Sequence, residues 1–90
     1  MYYVYLLQSE KNRSTYIGYT SDLKNRLIEH NQGKTKSIKH NLPYRLIYYE
    51  AYQSKTDSRK REIELKKNSY KKEQLFKCLQ NSLTAPSSIG

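Results

Sequence analysis

Five side chains of this sequence carry groups that together suit one kind of reaction. Tyr5 ends a Tyr3-Val4-Tyr5 tripeptide, Tyr16 opens a Tyr16-Ile17-Gly18 tripeptide, and Arg26, His30 and Glu62 follow in order. Hydrolysis of a phosphodiester needs a deprotonated, aligned water. It also needs stabilisation of the charge growing on the phosphate, and a proton or metal ion for the leaving oxygen. The planar guanidinium of Arg26 can bridge two phosphate oxygens. His30 titrates near neutrality, which suits proton transfer. A free tyrosine, with a pKa of about 10, is a poor base at neutral pH. Positive charge nearby favours the phenolate, so Tyr5 and Tyr16 are expected to gain basicity from Arg26 and a metal. Glu62 supplies one carboxylate, which suffices for magnesium if water and phosphate fill its other sites. Taken singly, each residue has an ordinary reading. Helix glutamates are mostly solvated and paired with basic neighbours, helix arginines and histidines mostly lie on the surface, and tyrosine pairs often just pack.

The elements that must hold these groups are legible in outline. Tyr2 to Leu7 has no polar break and reads as a central strand buried on both faces. Ser9 to Ser14 is a polar turn, and Thr15 to Thr20 a second strand, so the two should form a hairpin. A loop of even length sets odd positions opposite even ones and puts Tyr5 and Tyr16 on one face. Ser21 or Asp22 caps a helix that runs to about Asn31 and ends at Gly33. On it, Arg26 and His30 are four apart and therefore neighbours. Gly18 allows a close backbone approach and a tight exit from its strand, a structural role. Lys34 to Asn41 is a basic loop, and Pro43 opens a third strand, Tyr44 to Ala51. Asp57 can cap a second helix through Lys67. Asn68-Ser69 breaks it, and a third helix follows from Lys71 to Asn81, with Leu75, Phe76 and Leu79 inward. Cys78 reads as a small core residue. Residues 1–81 make one domain, and residues 82–90, with Pro86 and two more serines, read as a flexible tail.

The chain has 90 residues and a formal net charge of +9, from 17 basic and 8 acidic side chains. One small domain with that excess favours a polyanionic partner, nucleic acid above all. The basic positions cluster at Lys34, Lys36, Lys39 and His40, with Arg45, and at Arg59, Lys60, Arg61, Lys66 and Lys67. They are expected to contact phosphates, and neutralising about five would give a log-log salt slope of roughly −4 to −5. The longest apolar run is too short to span a bilayer and lacks signal-peptide flanks, which points to the cytoplasm. A single cysteine excludes an internal disulfide. Of the ten tyrosines, most should fill strands and core, but tyrosine also stacks on nucleobases.

The order and spacing of these residues resembles the GIY-YIG nuclease family, most of all its short stand-alone bacterial branch. The likeness runs from Met1 to Lys72. It is carried by the two tripeptides on adjacent predicted strands, by the run from Gly18 through Arg26 and His30 to Asn31, and by Arg61-Glu62-Ile63-Glu64-Leu65-Lys66-Lys67. The resemblance implies an α+β fold, a small three-stranded antiparallel sheet flanked by about three helices. It implies an endonuclease dependent on Mg2+ or Mn2+ and acting on DNA that is branched, nicked or single-stranded, or on RNA. It assigns the metal to Glu62 rather than Glu64, the phosphate clamp to Arg26, the general base to Tyr5, and the orienting of water or phosphate to Tyr16. His30 holds the place of an assisting histidine found one turn after the arginine in some restriction-enzyme relatives, and Tyr5 and His30 compete for the role of base. Two departures are visible. Tyr3 replaces the first glycine of the family name, and Tyr19 stands where the repair-incision branch carries lysine. A late asparagine of larger relatives has Asn68, Gln74 and Asn81 as candidate equivalents. Larger relatives also find their targets through added domains, so this chain would select by shape and backbone or through a protein partner that delivers it. The other readings are a non-catalytic nucleic-acid-binding module on the same fold, and an adaptor for a nuclease encoded elsewhere.

Overall fold

An aromatic and branched run without a polar break can be buried on both faces, and Tyr2–Ser9 forms such a strand, β1, in the middle of the sheet. The computed structural model describes residues 1–36 and 38–85. β2 (Thr15–Thr20) and β3 (Tyr44–Tyr52) flank β1, giving a three-stranded antiparallel sheet in the order β2-β1-β3. Val4 through Ser9 are all buried. Gln8 pairs with Thr15, leaving residues 9 to 14 as a loop of even length, and the register sets Tyr5 opposite Gly18 and Leu7 opposite Tyr16. Tyr5 and Tyr16 therefore share a face, as the parity argument requires. The loop is tied down by Ser9, whose hydroxyl accepts from the Lys11 and Asn12 amides and donates to the Asn41 carbonyl at 2.6 Å.

One face of the sheet is covered by α1 (Leu23–Asn31) and the segment after it. Leu23, Leu27, Ile38 and Leu42 pack there on Tyr5, Leu7 and Tyr44. Asp22 caps α1 by accepting from the Asn25 amide, and Gly33, at φ 78°, turns the chain away after the helix. Asn31 then does what a strand neighbour would do. Its amide oxygen accepts from the Tyr44 N–H at 2.8 Å and its amide nitrogen donates to the Tyr44 carbonyl at 3.0 Å. The end of α1 is thus locked to the start of β3.

The other face carries α2 (Lys55–Lys67), α3 (Ser69–Cys78) and a short α4 (Gln80–Thr84). Leu65 and Leu75 close a second core with Val4, Leu6 and Ile17, and Phe76, Leu79 and Leu83 pack at its margin. Four expectations need correction. Ser54 rather than Asp57 caps α2, because its hydroxyl reaches the Asp57 amide. Asn68 ends α2 but also caps α3 through the Lys71 amide, so α3 begins at Ser69. Cys78 is exposed and not a core residue. Residues 82–84, assigned to the tail, are helical, and Arg13 and Arg45 donate to the carbonyls of Ser82, Leu83 and Ala85. The rest of the expected tail, residues 86–90, lies outside the described residues.

A polar hub on β3 fastens the helical layer. The Glu50 carboxylate accepts from Tyr48 Oη at 2.6 Å, from Tyr52 Oη at 2.5 Å and from Arg61 Nε at 2.9 Å, while Arg61 also donates to Glu64 at 2.5 Å. Burial opposes the Glu50 charge, but the bonds from Arg61, Tyr48 and Tyr52 outweigh it and hold its pKa below the usual value. Replacing Glu50 by Gln removes the anion while leaving the guanidinium in place. The variant is expected to unfold with about 2 kcal/mol less stability in a urea titration, and an unchanged midpoint would contradict the hub.

Candidate active site

Gly18 decides where Tyr5 goes. A Cβ at Gly18 would lie 2.5 Å from Tyr5 Cζ, closer still to its hydroxyl, and 3.0 Å from Tyr16 Cε1. No side chain fits there, so glycine is required for close approach. The Tyr5 ring crosses this space, is 2% exposed, and brings its hydroxyl to His30 Nε2 at 2.7 Å. His30 occupies the last turn of α1 and is fully buried, and its Nδ1 lies 2.8 Å from Thr35 Oγ1. Tyr16 completes the cluster, with ring centroids 6.4 Å from Tyr5 and 5.3 Å from His30.

Arg26, one turn before His30, remains partly exposed and makes a 3.8 Å contact with Glu29. Its charge reaches both members of the buried pair. Burial dominates the Tyr5 hydroxyl and pushes its pKa up to about 12, while hydrogen bonding and charge from Arg26 pull the other way. The expected gain in basicity from Arg26 is therefore outweighed in the protein itself, because desolvation penalises the phenolate more than the guanidinium stabilises it. Burial also lowers the His30 pKa, and Arg26 adds to the effect against an opposing Glu29. At neutral pH the pair is a phenol and a neutral imidazole. Tyr5 then donates to Nε2, and Nδ1–H donates to Thr35, a tautomer assigned from the hydrogen-bond partners.

Glu62 is 8% exposed, on the face of α2 toward the sheet. Its charge is felt at the Tyr5 hydroxyl. Oε1 meets Arg59 at 3.4 Å and Oε2 meets Lys66 at 3.1 Å. The Lys66 ammonium lies 5.8 Å from the centre of the Tyr16 ring, which links Glu62 to the tyrosine cluster. Among the described residues no three His, Cys, Asp or Glu side chains group as a metal cage. The donor set is one hard carboxylate oxygen pair aimed at positive charge. One carboxylate could serve a hydrated magnesium or manganese ion completed by substrate phosphate only by exchanging those two contacts, and it does not make a closed zinc site.

The fold thus gathers Tyr5, Tyr16, Arg26, His30 and Glu62, with Gly18 making room for Tyr5. The basic positions divide. Lys34, Lys36 and Lys39 are exposed on the segment after α1, and Arg59, Lys60, Lys66 and Lys67 are exposed on α2. Arg45 and Arg61 do not join them as phosphate contacts. Arg45 donates to Gln8 and to the carbonyls of Ser82 and Ala85, and Arg61 is held by Glu50 and Glu64. Tyr19 lies on the opposite face, stacked with Tyr2 under the Arg59 guanidinium. Sequence reasoning missed Thr35, which orients His30 and carries no signal beyond its place five residues on. The ordinary reading of Glu62, pairing with basic helix neighbours, is seen at Arg59 and Lys66.

Comparison with known proteins agrees with this fold. The family model for the GIY-YIG catalytic domain matches residues 1–75. The chain is 39% identical over 74 residues to UPF0213 protein SpyM50708 of Streptococcus pyogenes, covering 81% of this chain and 79% of that protein. It is 38% identical over 80 residues to UPF0213 protein SERP0126 of Staphylococcus epidermidis, covering 88% of this chain and 94% of that protein. The solution NMR structure of the UPF0213 protein BH0048 from Bacillus halodurans superposes with a TM-score of 0.56 at 34% identity, over 97% of this chain and 100% of that one. These names assign no reaction. Among the described residues no helix is long and apolar enough to cross a membrane.

The lowered His30 pKa sets a sign for pH dependence. The unfolded chain binds a proton at His30 before the folded one does. Stability from this residue is therefore present above about pH 6.5 and is lost as pH falls through the lower folded-state value. Ring-nitrogen NMR should find His30 neutral, with one protonated nitrogen, at about pH 6.5. A doubly protonated ring at that pH would contradict the buried pair.

Proposed function

This chain belongs to the GIY-YIG catalytic-domain family, a nuclease-type fold, and on that footing we propose that it is a small divalent-metal-dependent endonuclease cutting phosphodiester bonds in DNA. The observation that carries the reading is the 2.7 Å contact of Tyr5 with a neutral, buried His30, at a point where the charges of Arg26 and Glu62 both act. A phenol with a pKa of about 12 is not a free base at neutral pH. It need not be one. Tyr5 can accept a proton from the attacking water while its own proton passes to His30 Nε2, so no isolated phenolate forms. Thr35 keeps the acceptor nitrogen of His30 facing Tyr5. The two residues that competed for the role of base thus act in series.

Arg26 would hold two phosphate oxygens and stabilise the charge that grows on them. Tyr16, beside Tyr5 and His30 and less buried than either, orients water or phosphate. Glu62 would hold the magnesium or manganese ion, which when bound supplies charge neutralisation at the phosphate and at the leaving oxygen. Lys66 and Arg59 orient the Glu62 carboxylate. The exposed lysines after α1 and the basic flank of α2 attract the nucleic-acid backbone, which fits selection by shape, or by a delivering partner, more than by base sequence. A second reading is a nucleic-acid-binding module without cleavage. It is favoured by the engagement of both Glu62 oxygens with basic groups.

The test is cleavage by highly purified protein of single-stranded, duplex, flap and junction DNA and of RNA, with magnesium, manganese or EDTA. Cleavage should require metal and should fall about 10²- to 10³-fold in Arg26→Ala, and at least as far in Glu62→Ala. If Glu62→Ala cuts as fast as wild type, the assigned site is wrong. Salt-sensitive binding without any cleavage selects the binding module.

A further inference from the structure

Next to the catalytic cluster, on the same face of the sheet, lies an aromatic cleft that the mechanism does not use. Tyr49 stands directly opposite Tyr5 in the β1–β3 register, and Tyr3 lies two residues from Tyr5 on the same face. This pairing sets the cleft beside the Tyr5 backbone, while the Tyr5 ring crosses the other way over Gly18, and Lys24 on the cleft wall lies two residues before Arg26 on α1. Tyr49 is 52% exposed. Its ring meets Tyr3 edge to face, with centroids 5.9 Å apart and planes at 66°. An edge-to-face pair cannot cover both faces of both rings. The space beside them, about 380 Å³, is walled by Ser21, Asp22 and Lys24 at the start of α1. That volume falls within the ~300–1,000 Å³ range of small-molecule sites.

We propose that this cleft is a stacking subsite for one unpaired nucleobase, flanking the phosphate held at Arg26. The chemistry of the walls fits that occupant. An uncovered tyrosine face takes any base by stacking. The Asp22 carboxylate spends one lone pair of each oxygen on Asn25 and keeps others for the amino edge of a base. Lys24 offers a cation to the neighbouring phosphate, on a protein of formal net charge +9. A base inside an intact duplex is stacked on its neighbours and cannot enter such a cleft. The subsite therefore narrows the substrate to nucleic acid with an unpaired nucleotide beside the cut: a single strand, flap, gap or junction. The inference rests on the nuclease reading above for the presence of a nucleic acid.

The experiment uses a single-stranded oligonucleotide carrying 2-aminopurine, with EDTA present to prevent cleavage. Fluorescence intensity reports stacking, and the anisotropy of an end label reports binding. Wild type should quench the 2-aminopurine on binding. Tyr49→Ala, a surface change that leaves the core intact, should bind about tenfold or more weakly and lose the quench. Tyr49→Phe should keep both, because stacking needs the ring and not the hydroxyl. If wild type binds without quenching, or if Tyr49→Ala binds and quenches like wild type, the subsite is wrong while the nucleic-acid reading stands. If wild type binds no oligonucleotide even at low salt, both fall together.

Discussion

A phenol ring can lie across the neighbouring strand only where that strand presents no side chain. Tyr5 lies over Gly18 in this way, and the rest of the site depends on it. The crossing brings the Tyr5 hydroxyl to His30. The partner must be waiting there. α1 delivers it, because Asp22 fixes where the helix begins and the paired bonds of Asn31 to Tyr44 fix where it ends. The central place of β1 makes the arrangement stiff, since its neighbours hold it by hydrogen bonds on both sides and by packing on both faces.

The electrostatics follow from that burial. Two buried ionisable groups meet beside a cation, and desolvation discourages charge on both. Burial raises one pKa and lowers the other, leaving both groups neutral at physiological pH. A neutral donor and a neutral acceptor in a short hydrogen bond can pass a proton onward without either holding a stable charge. The opposite design appears in the Glu50–Arg61 hub on the other side of the sheet. There three hydrogen-bond donors outweigh the cost of burial, and the carboxylate stays ionised to hold the helical layer.

Much of this was legible in the chain because it rested on local rules. The unbroken apolar run of β1, the parity of the hairpin loop and the four-residue spacing of Arg26 and His30 are all short-range signals, and each placed its residues correctly. What the chain concealed were contacts between distant segments. Arg45 and Arg61 read as surface cations, yet one fastens the α4 segment and the other closes the Glu50 hub. No local pattern separates an arginine that meets phosphate from one that meets a carboxylate eleven residues away on another element. The direction of the Tyr5 shift was misread for the same reason. The cation is near in sequence-derived geometry, but the burial that outweighs it comes from the whole fold. Cys78 shows the limit of composition, since a small apolar residue on a helix can face either way.

The central claim is that Tyr5 and His30 form one proton-transfer unit. A double-mutant cycle on single-turnover cleavage tests it, with Tyr5→Phe, His30→Gln and the combination of both. If the two act in series, removing either breaks the same path, and the double variant should be little slower than the slower single variant. Rate losses that simply multiply in the double variant would mean two independent residues and would contradict the account.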